Sequence, residues 1–129
     1  MQPQILSHQQ PVTLECGVTL PMVDIAYHTF GELNADKSNV VWICHAFSAN
    51  SNPMEWWPGM VGDGLFIDSK KYFIVCVNML GSCYGTTGPL SINPETEKKY
   101  YSSFRVVTVR DMVQNLILVS KNLGIEKIS

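Results

Sequence analysis

Val40-Val41-Trp42-Ile43-Cys44 is a continuous run of β-branched and aromatic residues. A strand with one wet face alternates apolar and polar side chains, and this run does not. Unbroken apolar strands are buried on both faces, as in a parallel sheet covered by helices. Tyr72-Phe73-Ile74-Val75-Cys76-Val77 repeats the pattern. A stretch rich in Gly, Pro and Trp separates the two, long enough for a crossover with a short helix.

Upstream, Val12 to Cys16 and Val23 to Phe30 alternate apolar and polar residues. With Gly17 and Pro21 between them, they are expected to pair as an antiparallel hairpin. Residues 1–11 are Gln-rich and polar and are expected to be an N-terminal extension. Downstream, Val109, Met112, Val113, Leu116, Val119 and Leu123 recur at helical spacing. Thr108 is placed as N-cap, with Asp111 three residues on and Gly124 as the stop. Ile125-Glu126-Lys127-Ile128 resembles the approach to a further strand. The expected fold class is α/β, an antiparallel hairpin leading into a mainly parallel sheet. Residues 12–129 are expected to be the front part of one longer domain, because an uncovered edge on a buried parallel strand is an aggregation hazard.

Composition agrees with a globular domain. The chain has 129 residues, 9 Lys+Arg against 11 Asp+Glu, for a net charge of −2. That balance carries no basic footprint for nucleic acid. Apolar residues make up 46%, too many for a solvated disordered segment. Charged residues are only 16%, below the roughly 25% of a typical soluble domain, which suggests surfaces that something else covers. Cys16, Cys44, Cys76 and Cys83 are scattered, with no C-x-x-C pair. A reduced, cytoplasmic setting is expected on the ordinary compartment rule. Neither a signal peptide nor a membrane-length apolar run is visible. His8, His28 and His45 lack metal-ligand spacing, and no phosphate loop or dinucleotide fingerprint is present.

Two loops could carry chemistry. His45-Ala46-Phe47-Ser48-Ala49-Asn50 directly follows the first buried run, at the strand end where open α/β sheets place ligands. A backbone N–H there could hold an oxyanion, whereas His45 itself is expected to be a hydrogen-bonded structural residue. Gly81-Ser82-Cys83-Tyr84-Gly85 matches a nucleophile elbow with Cys for Ser. An elbow must lead straight into a helix, and Thr86-Thr87-Gly88-Pro89-Leu90 is a poor one. The alternative is a glycine-rich loop lining a cleft, with Cys83 packed beneath it. Trp56-Trp57-Pro58-Gly59 could wall a pocket or cap the sheet.

The chain resembles the N-terminal part of the homoserine O-acetyltransferases, members of the α/β-hydrolase superfamily. The resemblance rests on Ile25-Ala26-Tyr27-His28-Thr29-Phe30-Gly31, Ile43-Cys44-His45-Ala46, and Trp57-Pro58-Gly59-Met60-Val61-Gly62. More specific are Asn78-Met79-Leu80-Gly81-Ser82-Cys83-Tyr84-Gly85-Thr86-Thr87-Gly88-Pro89, Ser91-Ile92-Asn93-Pro94 and Val107-Thr108-Val109-Arg110-Asp111-Met112-Val113. It implies acetyl transfer from acetyl-CoA to the hydroxyl of L-homoserine through a Ser acyl-enzyme, on the route to methionine. Acetyl-CoA is then a co-substrate, and no resident cofactor, metal, nucleic acid or membrane is implied. A homodimer at full length is implied as well. The family's Ser, Asp and His lie beyond this stretch, so residues 1–129 alone are expected to be inactive. Ser129 lacks an elbow and is not taken as the nucleophile. By position, the backbone N–H of Phe47 is the oxyanion donor. Asn50 stands where many members have Asp, in Phe47-Ser48-Ala49-Asn50 for Leu-Thr-Gly-Asp, and is a candidate substrate contact. Succinyl-CoA as donor, serine as acceptor, plain ester hydrolysis and a non-catalytic binding remnant are the alternatives.

Overall fold

In the computed structural model, which describes residues 1–128, the two buried runs are neighbouring parallel strands. The elements in chain order are β1 (Gln4–His8), β2 (Val12–Thr13), β3 (Thr19–Leu20), β4 (Val23–Phe30) and β5 (Val40–Ile43). A crossover follows with α1 (Pro53–Trp56), β6 (Val61–Gly62) and β7 (Ile67–Asp68), leading to β8 (Phe73–Val77). Then come β9 (Ile92–Asn93), β10 (Lys98–Lys99), a 3-10 turn at Tyr101–Ser103 and α2 (Val109–Asn122).

The main sheet has the order β1-β4-β8-β5. Its β5–β8 ladder is parallel, with Val40 opposite Phe73 and Ile43 opposite Cys76. The β1–β4 and β4–β8 ladders are antiparallel. Among the described residues the sheet is therefore mixed, with its parallel part just begun. Alternate side chains of β8 divide between two cores, as the pleat requires. Val75 and Val77 pack with Val23, Ile25 and Val119 under α2. Ile74 and Cys76 pack with Phe30, Ile43 and Val61 under the crossover. Two covered faces are why these strands carry no polar alternation.

The structure corrects four expectations. Val12–Thr13 pairs with Thr19–Leu20 rather than with β4. The partner of β4 is Gln4–His8, so the polar N-terminal stretch is an edge strand, with Gln4 opposite Tyr27. Its polarity fits its place at the sheet edge, where Ile5 is exposed. Cys44 lies just past β5 and is exposed, unlike the buried Cys76. Residues 125–128 form no strand, although Ile125 is buried against the core. The view of Ser129 falls outside the described residues.

α2 begins as its sequence implies. Thr108 Oγ1 accepts the Asp111 N–H at 3.2 Å, and the Asp111 carboxylate accepts the Thr108 N–H at 2.9 Å. This reciprocal box satisfies two orphan donors and places negative charge at the positive helix end. At the other end Gly124 adopts φ +70, and the Ile125 N–H returns to Ser120 O at 2.8 Å. Glycine is needed there because a side chain resists the left-handed conformation.

Candidate functional site

The C-terminal ends of β5 and β8 open onto a cavity of about 820 Å³. One wall is the loop 44–49, another the loop 79–84, and the third the first turns of α2 with Val109, Met112 and Leu116. The lining is mostly apolar, and the exposed side chains of Phe47, Val109 and Val113 stand around it. This concentration of exposed apolar surface fits the chain's shortage of charge.

Phe47 and Ser48 occupy the centre of a turn closed by the Ala49 N–H on Ala46 O at 2.9 Å. The Phe47 side chain is fully exposed. Its backbone N–H makes no hydrogen bond among the described residues. A free amide beside an apolar cavity is the element needed to receive developing negative charge. His45 is held at both ring nitrogens, by the Met79 N–H at 3.1 Å and against Ala46 O at 2.8 Å, as expected of a structural histidine.

Asn50 faces elsewhere. It lines a separate cavity of about 300 Å³ with Met1, His28, Ser51, Glu55 and Asn78. Its Oδ1 accepts the Asn52 N–H at 2.7 Å, and its Nδ2 donates to Glu55 Oε2 at 3.1 Å. The Asn50 Nδ2 bond and a similar one from Asn52 Nδ2 hold the Glu55 carboxyl below its ordinary range. The structure thus places Phe47 and Asn50 in different cavities, and Asn50 builds the loop that enters α1.

The glycine loop folds tightly on itself. The Gly81 N–H donates to Thr87 O at 2.9 Å. A Cβ on Gly88 would sit 2.6 Å from Ser82 O, and one on Gly85 2.9 Å from the Ala26 Cβ. Thr86 Oγ1 accepts the Ala26 N–H at 3.0 Å and donates to Asn78 O at 2.8 Å, tying the loop to β4. No helix follows Cys83, so the elbow reading fails on its structural requirement. Cys83 is exposed on the cavity wall rather than packed beneath the loop. Trp56 stacks on Trp57 with centroids 5.7 Å apart and packs over the second core, so the pair caps the sheet.

A buried polar chain with little local signature in the sequence lies below this site. Asn78 Nδ2 donates to Ser51 Oγ at 2.8 Å and to Tyr84 O at 2.9 Å. Ser51 Oγ lies 2.7 Å from His28 Nδ1, and His28 Nε2 lies 3.2 Å from Met1 O. Only Asn78, polar and directly after a buried strand, hinted at it. Among the described residues no group of three His, Cys, Asp or Glu side chains could hold a metal. None of the described helices is long and apolar enough to cross a membrane.

No family model matches the chain. Curated relatives do. It is 46% identical over its whole length to a homoserine O-acetyltransferase of Cyclobacterium marinum, of which it covers 37%. It is 51% identical over 92% of its length to the same enzyme of Chlorobaculum parvum, of which it covers 33%. The chain has the fold of these α/β-hydrolases, and its sequence matches the homoserine O-acetyltransferases along nearly all of its length. It is also 44% identical over 98% of its length to a homoserine O-succinyltransferase of Neisseria meningitidis, covering 36% of it. Its fold superposes with a TM-score of 0.85 on homoserine O-acetyltransferase from Bacillus anthracis, at 33% identity over 99% of this chain and 39% of that one. Esterase E22 gives the same TM-score at 31% identity, with 98% of this chain and 39% of that one covered. The chain spans about a third of the length of the curated relatives it matches.

Proposed function

We propose that the protein carrying this sequence is a homoserine O-acetyltransferase, acting in methionine formation and in the cytoplasm. A serine Oγ attacks the thioester carbonyl of acetyl-CoA; the carbon–sulfur bond breaks and the CoA thiol leaves with a proton. The hydroxyl of L-homoserine then takes the acetyl group from the serine ester, releasing the serine Oγ–H. The described residues supply three walls of the cavity and one oxyanion donor, the Phe47 N–H. With no nucleophile, base and orienter assigned among them, these residues alone give no turnover. A homodimer is the expected assembly.

The observation that carries the proposal is the free Phe47 N–H at the mouth of an apolar cavity, in a chain aligned throughout with proteins of that name. Two other readings have specific support. A succinyl donor is favoured by the Neisseria meningitidis relative, and ester hydrolysis by the likeness to esterase E22. Thiol release from acetyl-CoA by the full-length protein separates all three. Release that requires L-homoserine and yields a product heavier by one acetyl group is the expected result. Equal release without homoserine would mean hydrolysis. A preference for succinyl-CoA would replace the donor.

A further inference from the structure

The peptide unit that carries the Phe47 N–H is held from its other end. The Met79 backbone N–H donates to His45 Nε2 at 3.1 Å. A backbone N–H cannot accept, so Nε2 is bare and the proton of the neutral ring sits on Nδ1. Nδ1–H therefore donates to Ala46 O, 2.8 Å away. The same oxygen receives the Ala49 N–H at 2.9 Å. Ala46 C=O and Phe47 N–H belong to one planar trans peptide and point in opposite directions. Two donors on the oxygen thus fix the direction of the N–H.

We infer that His45 is a positioning residue, whose ring fixes the Ala46–Phe47 peptide plane and references it to the loop after β8. Both ring nitrogens are committed, which leaves neither to act as a base. The inference rests on the acyl-transfer reading, in which the Phe47 N–H receives the oxyanion. It adds the group that aims that N–H and the opposite wall, at Met79, from which it is aimed.

The test uses the full-length protein, with acetyl-CoA and homoserine, and with p-nitrophenyl acetate as an ester whose cleavage needs the same oxyanion donor. His45→Ala is expected to lower kcat about 10- to 100-fold, as small misplacements of reacting groups do, with KM within about twofold. His45→Asn, which offers an amide N–H where Nδ1 stood, should recover most of the rate. In a Phe47→Pro background, which lacks the aimed N–H, His45→Ala should cost less than about threefold more. A crystal structure of His45→Ala should show the Ala46–Phe47 peptide plane rotated. Full turnover in His45→Ala, an equal loss in the Phe47→Pro background, or an unmoved peptide plane would each overturn the positioning role. Failure of the unaltered protein to transfer or hydrolyse any acyl group would instead overturn the reading of the function, with the peptide plane still testing the pin.

Discussion

Asp111 Oδ1 accepts the backbone N–H of Glu15 at 2.9 Å, across 96 residues of chain. The same carboxylate closes the capping box of α2 through Oδ2 on the Thr108 N–H. Around it, Thr108 Oγ1 donates to the Glu15 carboxylate, and Arg110 Nη1 reaches Glu15 Oε1 at 3.1 Å. One buried acid therefore fixes both the start of the helix that walls the cavity and the turn between β2 and β3.

Asp111→Ala should destabilise the full-length protein by about 2–4 kcal/mol, roughly 1 for the cap and the remainder for the stranded Glu15 N–H. The effect depends on pH. Burial pushes the Asp111 carboxyl up, but the hydrogen bonds from Thr108 and Glu15 outweigh it and hold it below the ordinary aspartate value. A lowered native value means the stabilisation is complete above the ordinary carboxylate range and is lost as pH falls through the native value. The gap between the two proteins in urea melts should therefore be widest near neutrality and shrink in acid. A gap that does not change with pH would show that the charge is not what stabilises.

Gly31 adopts φ +78, and a Cβ there would lie 2.2 Å from Tyr72 O and 2.4 Å from Ser69 O. Both obstacles are backbone just before β8, so neither can swing aside. Gly17 has φ +88 but nothing within 4 Å of a built Cβ. Gly17→Ala should cost about 1–2 kcal/mol, the left-handed penalty alone. Gly31→Ala should cost about 3 kcal/mol or more and move the strands it joins. Equal thermal shifts for the two variants would contradict the close approach.

Much of this was legible because it is local. The continuous runs at 40–44 and 72–77 announced strands covered on both faces, and Thr108, Asp111 and Gly124 announced both ends of α2. Pairing partners were not legible. Val12–Thr13 and Gln4–His8 are both short and mixed, and nothing local decides which of them lies beside β4. Only position along the sheet edge makes the polar one its partner. The site divided in the same way. The loop after a buried strand was legible as a cavity wall, and Phe47 does line the cavity at the end of β5. Asn50 was a candidate contact because it stands where the resembling family carries Asp. Its side chain instead meets the Asn52 N–H and Glu55, neighbours two and five residues on, and builds the loop. The Asn78–Ser51–His28 chain joins three distant segments, so no spacing could have announced it.

The four thiols should separate by reactivity. Cys16, Cys44 and Cys83 are exposed, whereas Cys76 in β8 is buried with Phe30, Ile43 and Ile74. Burial first, and the neighbouring Cys44 second, push the Cys76 thiol up from 9.0 to about 12. Only the thiolate is nucleophilic, so at pH 8 Cys76 presents very little of the reactive form. Iodoacetamide on the native chain, followed by peptide mass mapping, should label the other three well before Cys76. Labelling of Cys76 at a comparable rate would mean that β8 opens to solvent.

Phe47→Pro deletes one backbone donor at a turn position where proline is generally favoured. Phe47 is the second residue of the 46–49 turn, the position whose backbone angle proline already prefers. Its N–H makes no hydrogen bond among the described residues, so the substitution breaks no bond of the folded state. The loss should fall on the reaction alone. Turnover by the full-length protein should drop about 10²- to 10³-fold, the usual cost of one oxyanion donor, with thermal stability nearly unchanged. The drop should be alike for homoserine acetylation and for p-nitrophenyl acetate cleavage, since both pass through an oxyanion on the same acyl carbon. A folded Phe47→Pro enzyme with near-normal rates would remove Phe47 from the oxyanion site, and a loss confined to homoserine would move it to acceptor binding.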